Sequence, residues 1–140
     1  MQDRPSAIEL LEAAADFVDR EIVTATAGRV QFQSRVVANV MRIVAREIHD
    51  EDPFARTELR SLAALLKREA PHVHGLDDVR SAAAKLNEDL SAQIRTGDAD
   101  TGARRAEVLA AVRQIVENKL KIANPRYLEA DLAIRAERRP

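Results

Sequence analysis

The stretch SAIELLEAAADFVDREIVT, residues 6–24, combines a helix start signal with a single apolar face. Ser6 and Glu9 have the spacing of a capping box, in which two side chains satisfy backbone N–H groups at a helix N-terminus. The apolar residues that follow recur at intervals of three and four, which places them on one side of a helix. We predict a helix over residues 6–24 whose buried face contains Ile8, Leu11, Ala15, Val18 and Ile22, widened by Leu10 and Phe17.

Four more apolar-periodic segments follow, and each is bounded by glycine, proline or a capping residue. Asp52-Pro53 is typical of a helix start, because aspartate suits the N-cap and proline is tolerated at the first helical position. Gly97 has the position of a left-handed C-terminal residue. The predicted helices cover residues 30–49, 53–69 and 103–122, with one more between an Asp77 cap and Gly97.

The composition favours an all-α fold with one core. Only 3% of the residues are aromatic, which fits poorly with β-sandwich strands, whereas the abundant Ala, Leu, Glu and Arg are strong helix formers. The 140 residues, 46% of them hydrophobic, suffice for a single domain. We predict that residues 1–140 form one antiparallel bundle of about five helices. Residues 126–140 are predicted to be either a short C-terminal helix or a loosely packed tail with a frayed basic end at Arg138 and Arg139.

Charge and cysteine content exclude several classes of function. The 22 Lys and Arg balance 23 Asp and Glu, whereas general nucleic-acid binders have a basic excess. The lack of cysteine excludes disulfides, thiol nucleophiles and cysteine-ligated metals. The sequence has no signal-peptide pattern and no run of about 18 apolar residues. We therefore predict a cytoplasmic protein with neither a nucleic-acid nor a membrane partner.

Motifs for catalysis and cofactor binding give negative results. The four glycines are scattered, which excludes the glycine-rich nucleotide-binding loops. His72-Val73-His74, with Asp77 and Asp78 nearby, is the one cluster of potential metal ligands, but its spacing is unspecific. A turn followed by a helix cap explains the same residues. We predict no catalytic residues, no metal and no cofactor, and no enzymatic activity of the isolated chain.

The second predicted helix carries a stripe of basic residues and has no acidic residue before Glu47. At about 100° per residue, the members of the stripe fall within an arc of about 60°. One interpretation is a docking surface for an acidic protein or a phosphate-bearing ligand, which arginine binds well. The other is a solvated face whose arginines pair with carboxylates of neighbouring helices. This basic stripe consists of Arg35, Asn39, Arg42 and Arg46, with Phe32 and Ile43 at its border.

Two further groups have the same two interpretations, structural or binding. Glu47 lies at the Val36 and Val40 edge of the second helix, where a carboxylate needs a partner. After the fifth helix, Asn124-Pro125 is an ordinary turn signal. Tyr127, the only tyrosine, is a candidate anchor either for the C-terminal tail on the bundle or for a partner on the protein.

Three groups of residues together resemble a known family. It consists of small, uncharacterised bacterial helical proteins, typically encoded beside an aminoglycoside-phosphotransferase-like kinase and an acyl-CoA-dehydrogenase-like enzyme. Residues 53–105 contribute nothing to the resemblance. The matching groups are RPSAIELLEA at 4–13, Phe32 with Arg35-Val36-Val37-Ala38-Asn39 and Arg46-Glu47, and Lys119-Leu120 with Asn124-Pro125 and Tyr127-Leu128.

The resemblance implies an accessory role in acid catabolism. Such gene neighbours suggest that the kinase phosphorylates a hydroxyacyl-CoA, whose product the dehydrogenase-like enzyme then eliminates or isomerises. The chain is then a non-catalytic accessory subunit that docks on the kinase through the basic stripe and Tyr127. The family supplies no catalytic residues, so its matched positions either bind a partner or stabilise the fold. Two alternatives remain: a carrier of acyl-CoA or another small ligand, and a homodimer without a ligand.

Overall fold

The computed structural model describes residues 4–137, which form five helical segments and no strand. Helix α1 comprises Ala7–Phe17, a π-helical turn Val18–Ile22 and a last α-helical turn Val23–Ala25. The prediction of an all-α fold with a short C-terminal helix is confirmed, while Arg138 and Arg139 lie outside the described residues. The other helices are α2 (Gly28–Leu65), α3 (Leu76–Arg95), α4 (Gly102–Ala123) and α5 (Pro125–Glu137).

Several helix ends follow the local sequence signals. Ser6 N donates to Glu9 Oε2 at 2.6 Å and Glu9 N donates to Ser6 Oγ at 3.2 Å, which completes the predicted capping box. Gly28 and Gly97 have φ values of +60° and +90°, a region that glycine enters without a steric penalty. The breaks between α1 and α2 and after α3 are therefore encoded by glycine.

Helix α3 begins two residues earlier than predicted. Its N-cap is Gly75, and Asp77 lies inside the first turn, where its side chain accepts a hydrogen bond from Arg80 Nη1 at 2.9 Å. The prediction that Asp77 caps this helix is wrong. A carboxylate in the first turn also stabilises a helix, because it faces the positive end of the helix dipole.

Helix α2 continues through Pro53, so the prediction that Asp52-Pro53 begins a separate helix is wrong. Proline removes one backbone donor and crowds the preceding turn. Neighbouring side chains bridge this position: Thr57 Oγ1 donates to Pro53 O at 2.8 Å, and Arg56 Nε donates to both carboxylate oxygens of Asp52 at 2.9 and 3.1 Å. Buried residues on both sides of the proline add packing that favours one continuous helix.

The chain divides into two compact units. The first contains the residues up to Glu51 together with Ile122–Asn124, and the second contains Asp52–Lys121 and the residues from Pro125 onward. Helices α2 and α4 therefore contribute residues to both units. The single domain over residues 1–140 stays a prediction. No helix within residues 4–137 combines the length and apolarity required to cross a bilayer.

The second unit is built around a leucine-rich core. The second half of α2 packs there with α3 and α4, and Leu62 and Val79 are fully buried. Burial of apolar surface stabilises a fold by about 25 cal/mol per Å², so this cluster is the main stabilising feature of the unit. The core consists of Leu59, Leu62, Ala63, Leu66, Val79, Ala83, Leu86, Leu90, Val108 and Ile115.

The first unit has a smaller core, in which alanine replaces leucine. Ala15 and Ala38 are fully buried, and Gln31 Nε2 donates to Val23 O at 3.0 Å and so connects α2 to the end of α1. Small side chains let helix backbones approach closely, which leaves larger neighbours at the margin. Leu10 and Phe17, which were predicted to be buried, are instead exposed. Other large apolar residues of the helices are exposed as well: Val30, Val37, Val40 and Ile48 in this unit, and Ile94, Leu109, Val112 and Val116 in the second.

Candidate functional site

Arg42, in the basic stripe of α2, is bound by two carboxylates of α1. Its Nη1 donates to Asp19 Oδ2 at 2.6 Å and its Nη2 donates to Asp16 Oδ1 at 3.0 Å. The hydrogen bonds to Asp19 and Asp16 raise the pKa of Arg42 above its ordinary, already high value, so the guanidinium stays charged. Arg42 therefore connects two helices of the first unit, as the structural interpretation of the stripe expects.

Arg46 is directed to the end of α4. Its Nε donates to the carbonyl oxygen of Ile122 at 2.7 Å, and its side chain is half-buried. The last carbonyl groups of a helix lack intrahelical donors and carry partial negative charge, so a cation there is favourable. Among the described residues Arg46 has no carboxylate partner. Its charge is thus ordered by a backbone contact but balanced by no ion pair.

Arg35 and Asn39 remain available. Both side chains are exposed, and neither has a hydrogen-bond or ion-pair partner within residues 4–137. The stripe is therefore divided into two residues fixed by contacts within the chain and two that face solvent. Arg35 and Arg46 give this surface two positive charges that no ion pair in the described part of the chain balances.

Apolar side chains are exposed next to the stripe. Phe32, Val36 and Val40 are 66%, 46% and 49% exposed, and Ile43 is half-buried. We call these four residues the outer row. Glu47, which lies on the same side of the helix, is exposed and has no partner among the described residues. The carboxylate that the sequence placed beside Val36 and Val40 is therefore unpaired in the isolated chain.

The second predicted group lies where α4 ends and α5 begins. Only Asn124 separates the two helices, and Pro125 occupies the first position of α5, where its missing N–H costs no helical hydrogen bond. Tyr127 is exposed, whereas Leu128 is buried. Asn124 and Tyr127 both interact with other residues of the chain. Tyr127 belongs to the second unit and the basic stripe to the first.

Lys119, another residue of the family resemblance, has a structural contact. Its Nζ donates to Glu58 Oε1 at 3.0 Å, and the same oxygen accepts a hydrogen bond from Asn87 Nδ2 at 2.9 Å. Glu58 is mostly buried, and these two donors supply hydrogen bonds to its carboxylate. This part of the motif therefore stabilises the second unit.

Asn118, in α4, is a buried polar residue whose burial was not predicted from the sequence. Its Oδ1 accepts hydrogen bonds from Gln114 Nε2 and Lys121 Nζ, both at 3.2 Å. Lys121 Nζ also lies 5.4 Å from the centre of the Phe54 ring, within the range of a cation–π contact. The four-residue spacing of Gln114 and Asn118 is the sequence signal that predicts such a pair.

An open groove of about 580 Å³ lies in the second unit. Arg56 orders the loop that follows α2, because its Nη1 and Nη2 donate to Val73 O at 3.3 Å and to His74 O at 2.8 Å. The exposed side chains of Arg60, His72 and His74 line the groove together with apolar residues. Within residues 4–137 no three His, Cys, Asp or Glu side chains are grouped to bind a metal ion. The apolar lining of the groove comes from Pro53, Leu59, Ala70, Pro71 and Val73.

These contacts define a helical protein in which exposed arginine, asparagine and apolar side chains lie next to one another on the first half of α2. Residues 24–127 match the family model described as Domain of unknown function (DUF6285), and the chain belongs to that family. The match includes residues 53–105, where the sequence showed no resemblance, and does not include residues 4–13. No curated protein and no solved structure matches the chain.

Proposed function

We propose that this chain is a non-catalytic accessory subunit of a phosphotransferase-type kinase that acts on hydroxyacyl-CoA in acid catabolism. The kinase and an acyl-CoA-dehydrogenase-like enzyme are its proposed partners. The observation that supports a docking role is the solvent-facing pair Arg35 and Asn39, which has no partner in the described chain. The identity of the partner follows from the family resemblance alone.

The proposed docking surface recognises an acidic patch on the kinase. Arg35 is free to form a two-pronged pair with a carboxylate, and Asn39 offers one acceptor and two donors one helical turn away. Arg46 adds a positive charge that its contact with Ile122 already orders. Charges at the rim of an interface act mainly on the association rate and its salt dependence. Docking is therefore expected to weaken as salt concentration rises.

The test compares two charge reversals of equal size. Arg35→Glu reverses an exposed charge of the docking surface, while Arg113→Glu reverses the charge of another exposed arginine, in α4, that has no partner among the described residues. We expect Arg35→Glu to weaken co-purification with the kinase at least tenfold and Arg113→Glu to leave it unchanged. Both variants are expected to keep the wild-type melting temperature.

The accessory role also requires an effect on catalysis. The kinase is assayed on hydroxyacyl-CoA with and without the wild-type chain, and stimulation that Arg35→Glu reduces in parallel with binding is the expected result. Equal capture of both variants would remove the basic stripe from the proposal. Failure of the wild-type chain to bind or stimulate the kinase would exclude the accessory role itself.

The groove supports a second candidate, a carrier of acyl-CoA or a similar small anionic ligand. Arg60, His72 and His74 can contact phosphate groups, and the neighbouring apolar residues suit an acyl chain. Calorimetry with an acyl-CoA is expected to show saturable binding that falls with rising salt and with Arg60→Glu. The Arg113→Glu variant is again the control. Absence of heat at millimolar ligand would exclude the carrier.

A further inference from the structure

The outer row of α2 is a continuous apolar surface that remains exposed to solvent in the described chain. At about 100° per residue, Phe32, Val36, Val40 and Ile43 fall within an arc of about 80°. Three of the four are nearly half or more exposed. Isolated exposed apolar residues are common on proteins, but a continuous row over three turns is typical of a surface that binds another helix.

Two unpaired charges of opposite sign lie at the ends of this row. Arg29 and Glu47 are 18 residues apart, which is five full helical turns, so both point in the direction of the row. Both are exposed, and neither has a partner among the described residues. Arg29 lies in the first turn of α2, where a cation opposes the helix dipole. An external carboxylate would compensate this unfavourable charge.

The apolar residues of the row are spaced almost symmetrically about residue 38, and its two ends carry opposite charges. Arg29 and Glu47 are each nine positions from residue 38, and Val36 and Val40 are each two positions from it. Phe32 and Ile43 are six and five positions from residue 38. An antiparallel copy of the same helix therefore places a positive charge against a negative charge at both ends, a large apolar residue against another, and valine against valine at the centre.

We propose that the outer row is a homodimer interface in which α2 of a second copy packs antiparallel across a twofold axis near residue 38. Arg29 of each copy pairs with Glu47 of the other, and Phe32 and Val36 of each copy pack on Ile43 and Val40 of the other. A twofold interface requires such reciprocal contacts, in which residue i touches j and residue j touches i. The paired segment spans about 27 Å of helix.

This dimer is independent of the proposed kinase partner and compatible with it. On the helical wheel Arg35 lies about 100° from the middle of the outer row, so it stays at the edge of the interface. Each dimer then presents two copies of the docking residue. Loss of the dimer and loss of kinase binding are separable by experiment, because different side chains mediate them.

The test is a charge exchange between two variants of the full chain. Light scattering of the wild type is expected to give twice the chain mass of 15.5 kDa. Arg29→Glu and Glu47→Arg each set like charges against each other at both ends, so each variant alone is expected to dimerise at least tenfold more weakly. An equimolar mixture restores both opposite-charge pairs, and we expect a heterodimer of wild-type affinity.

The exchange distinguishes a specific interface from a general change in charge or stability. Arg113→Glu is the matched control and keeps the wild-type dimer. Arg29→Glu also removes a cation from the start of a helix, so its circular dichroism spectrum remains helical. A wild-type monomer at all concentrations would overturn the proposal and assign the row to a different protein. Single variants that dimerise normally, or a mixture that fails to recover, would overturn the antiparallel pairing.

Discussion

The two halves of α2 differ in which residues they bury. Before Pro53 the fully buried residue is Ala38, while Phe32 is 66% exposed. After Pro53 the fully buried residue is Leu62, and the leucines of that half join a core shared with α3 and α4. One helix thus has its largest apolar residues outside in its first half and inside in its second.

This difference shows that an apolar row does not by itself identify the core of a chain. In the second half the apolar row and the buried face coincide, so substitutions there act on folding. In the first half the outer row lies on the solvent side, so substitutions there are expected to act on the proposed dimer and not on folding. Stability and association measurements on the two halves therefore test the comparison directly.

The largest expected effect is the loss of a leucine from the second half. Leu62→Ala leaves a cavity at a position with no exposed surface, and we expect a loss of about 2 to 5 kcal/mol in the free energy of unfolding. Urea unfolding followed by circular dichroism measures it. Arg60→Ala, at an exposed position of the same helix, is the control. A loss below about 1 kcal/mol would contradict the leucine core.

The alanine core of the first half is tested by replacing one of its alanines with a larger side chain. Ala38→Leu inserts a large side chain where no free surface remains, and overpacking of this kind costs about 1 to 3 kcal/mol. Val37→Leu, at the adjacent exposed position, is the matched control and is expected to change stability by less than about 0.5 kcal/mol. Equal melting temperatures for the two variants would show that α1 does not pack closely on α2.

A smaller effect is expected for Arg42→Glu. This change breaks the pairs with Asp19 and Asp16 and sets a third carboxylate against them. Because the ion pairs are partly exposed, we expect a loss of about 1 kcal/mol in the free energy of unfolding. Breaking a buried ion pair would cost several kcal/mol. Arg35→Glu is the control, since no partner of Arg35 is lost among the described residues. High salt should reduce the difference, and a salt-independent loss would argue against the ion pairs.

Helix identity was predictable from local signals, and helix continuity was not. The Ser6 and Glu9 capping box and the glycine breaks at 28 and 97 each act within a few residues, so the sequence contains the full cause. Asp52-Pro53 has the signal of a helix start, but packing on both sides of the proline outweighs it. Ala15 was predicted to be buried but Ala38 was not, because larger apolar residues dominate a hydrophobic pattern whether they are buried within the chain or exposed.

The candidate site was predictable as a group of residues on one helix face. Which of them are available was not, because the partners are distant in sequence: Arg42 binds carboxylates 23 and 26 residues away, and Arg46 binds a carbonyl 76 residues away. Such contacts depend on how helices pack. Only the structure separates Arg35 and Asn39 from the two arginines that stabilise the fold.

The smallest effect on folding is expected for a substitution in the outer row, which represents the exposed apolar residues of the first half of α2. Val36→Ser replaces a side chain that is already 46% exposed, so the free energy of unfolding of the monomer is expected to change by less than about 0.5 kcal/mol. The same variant removes an apolar contact from each copy at the centre of the proposed dimer, so dissociation is expected at least tenfold more readily. Unfolding is measured at dilutions where light scattering gives the monomer mass. A large loss of monomer stability would place Val36 in the core and remove the difference between the two halves of α2.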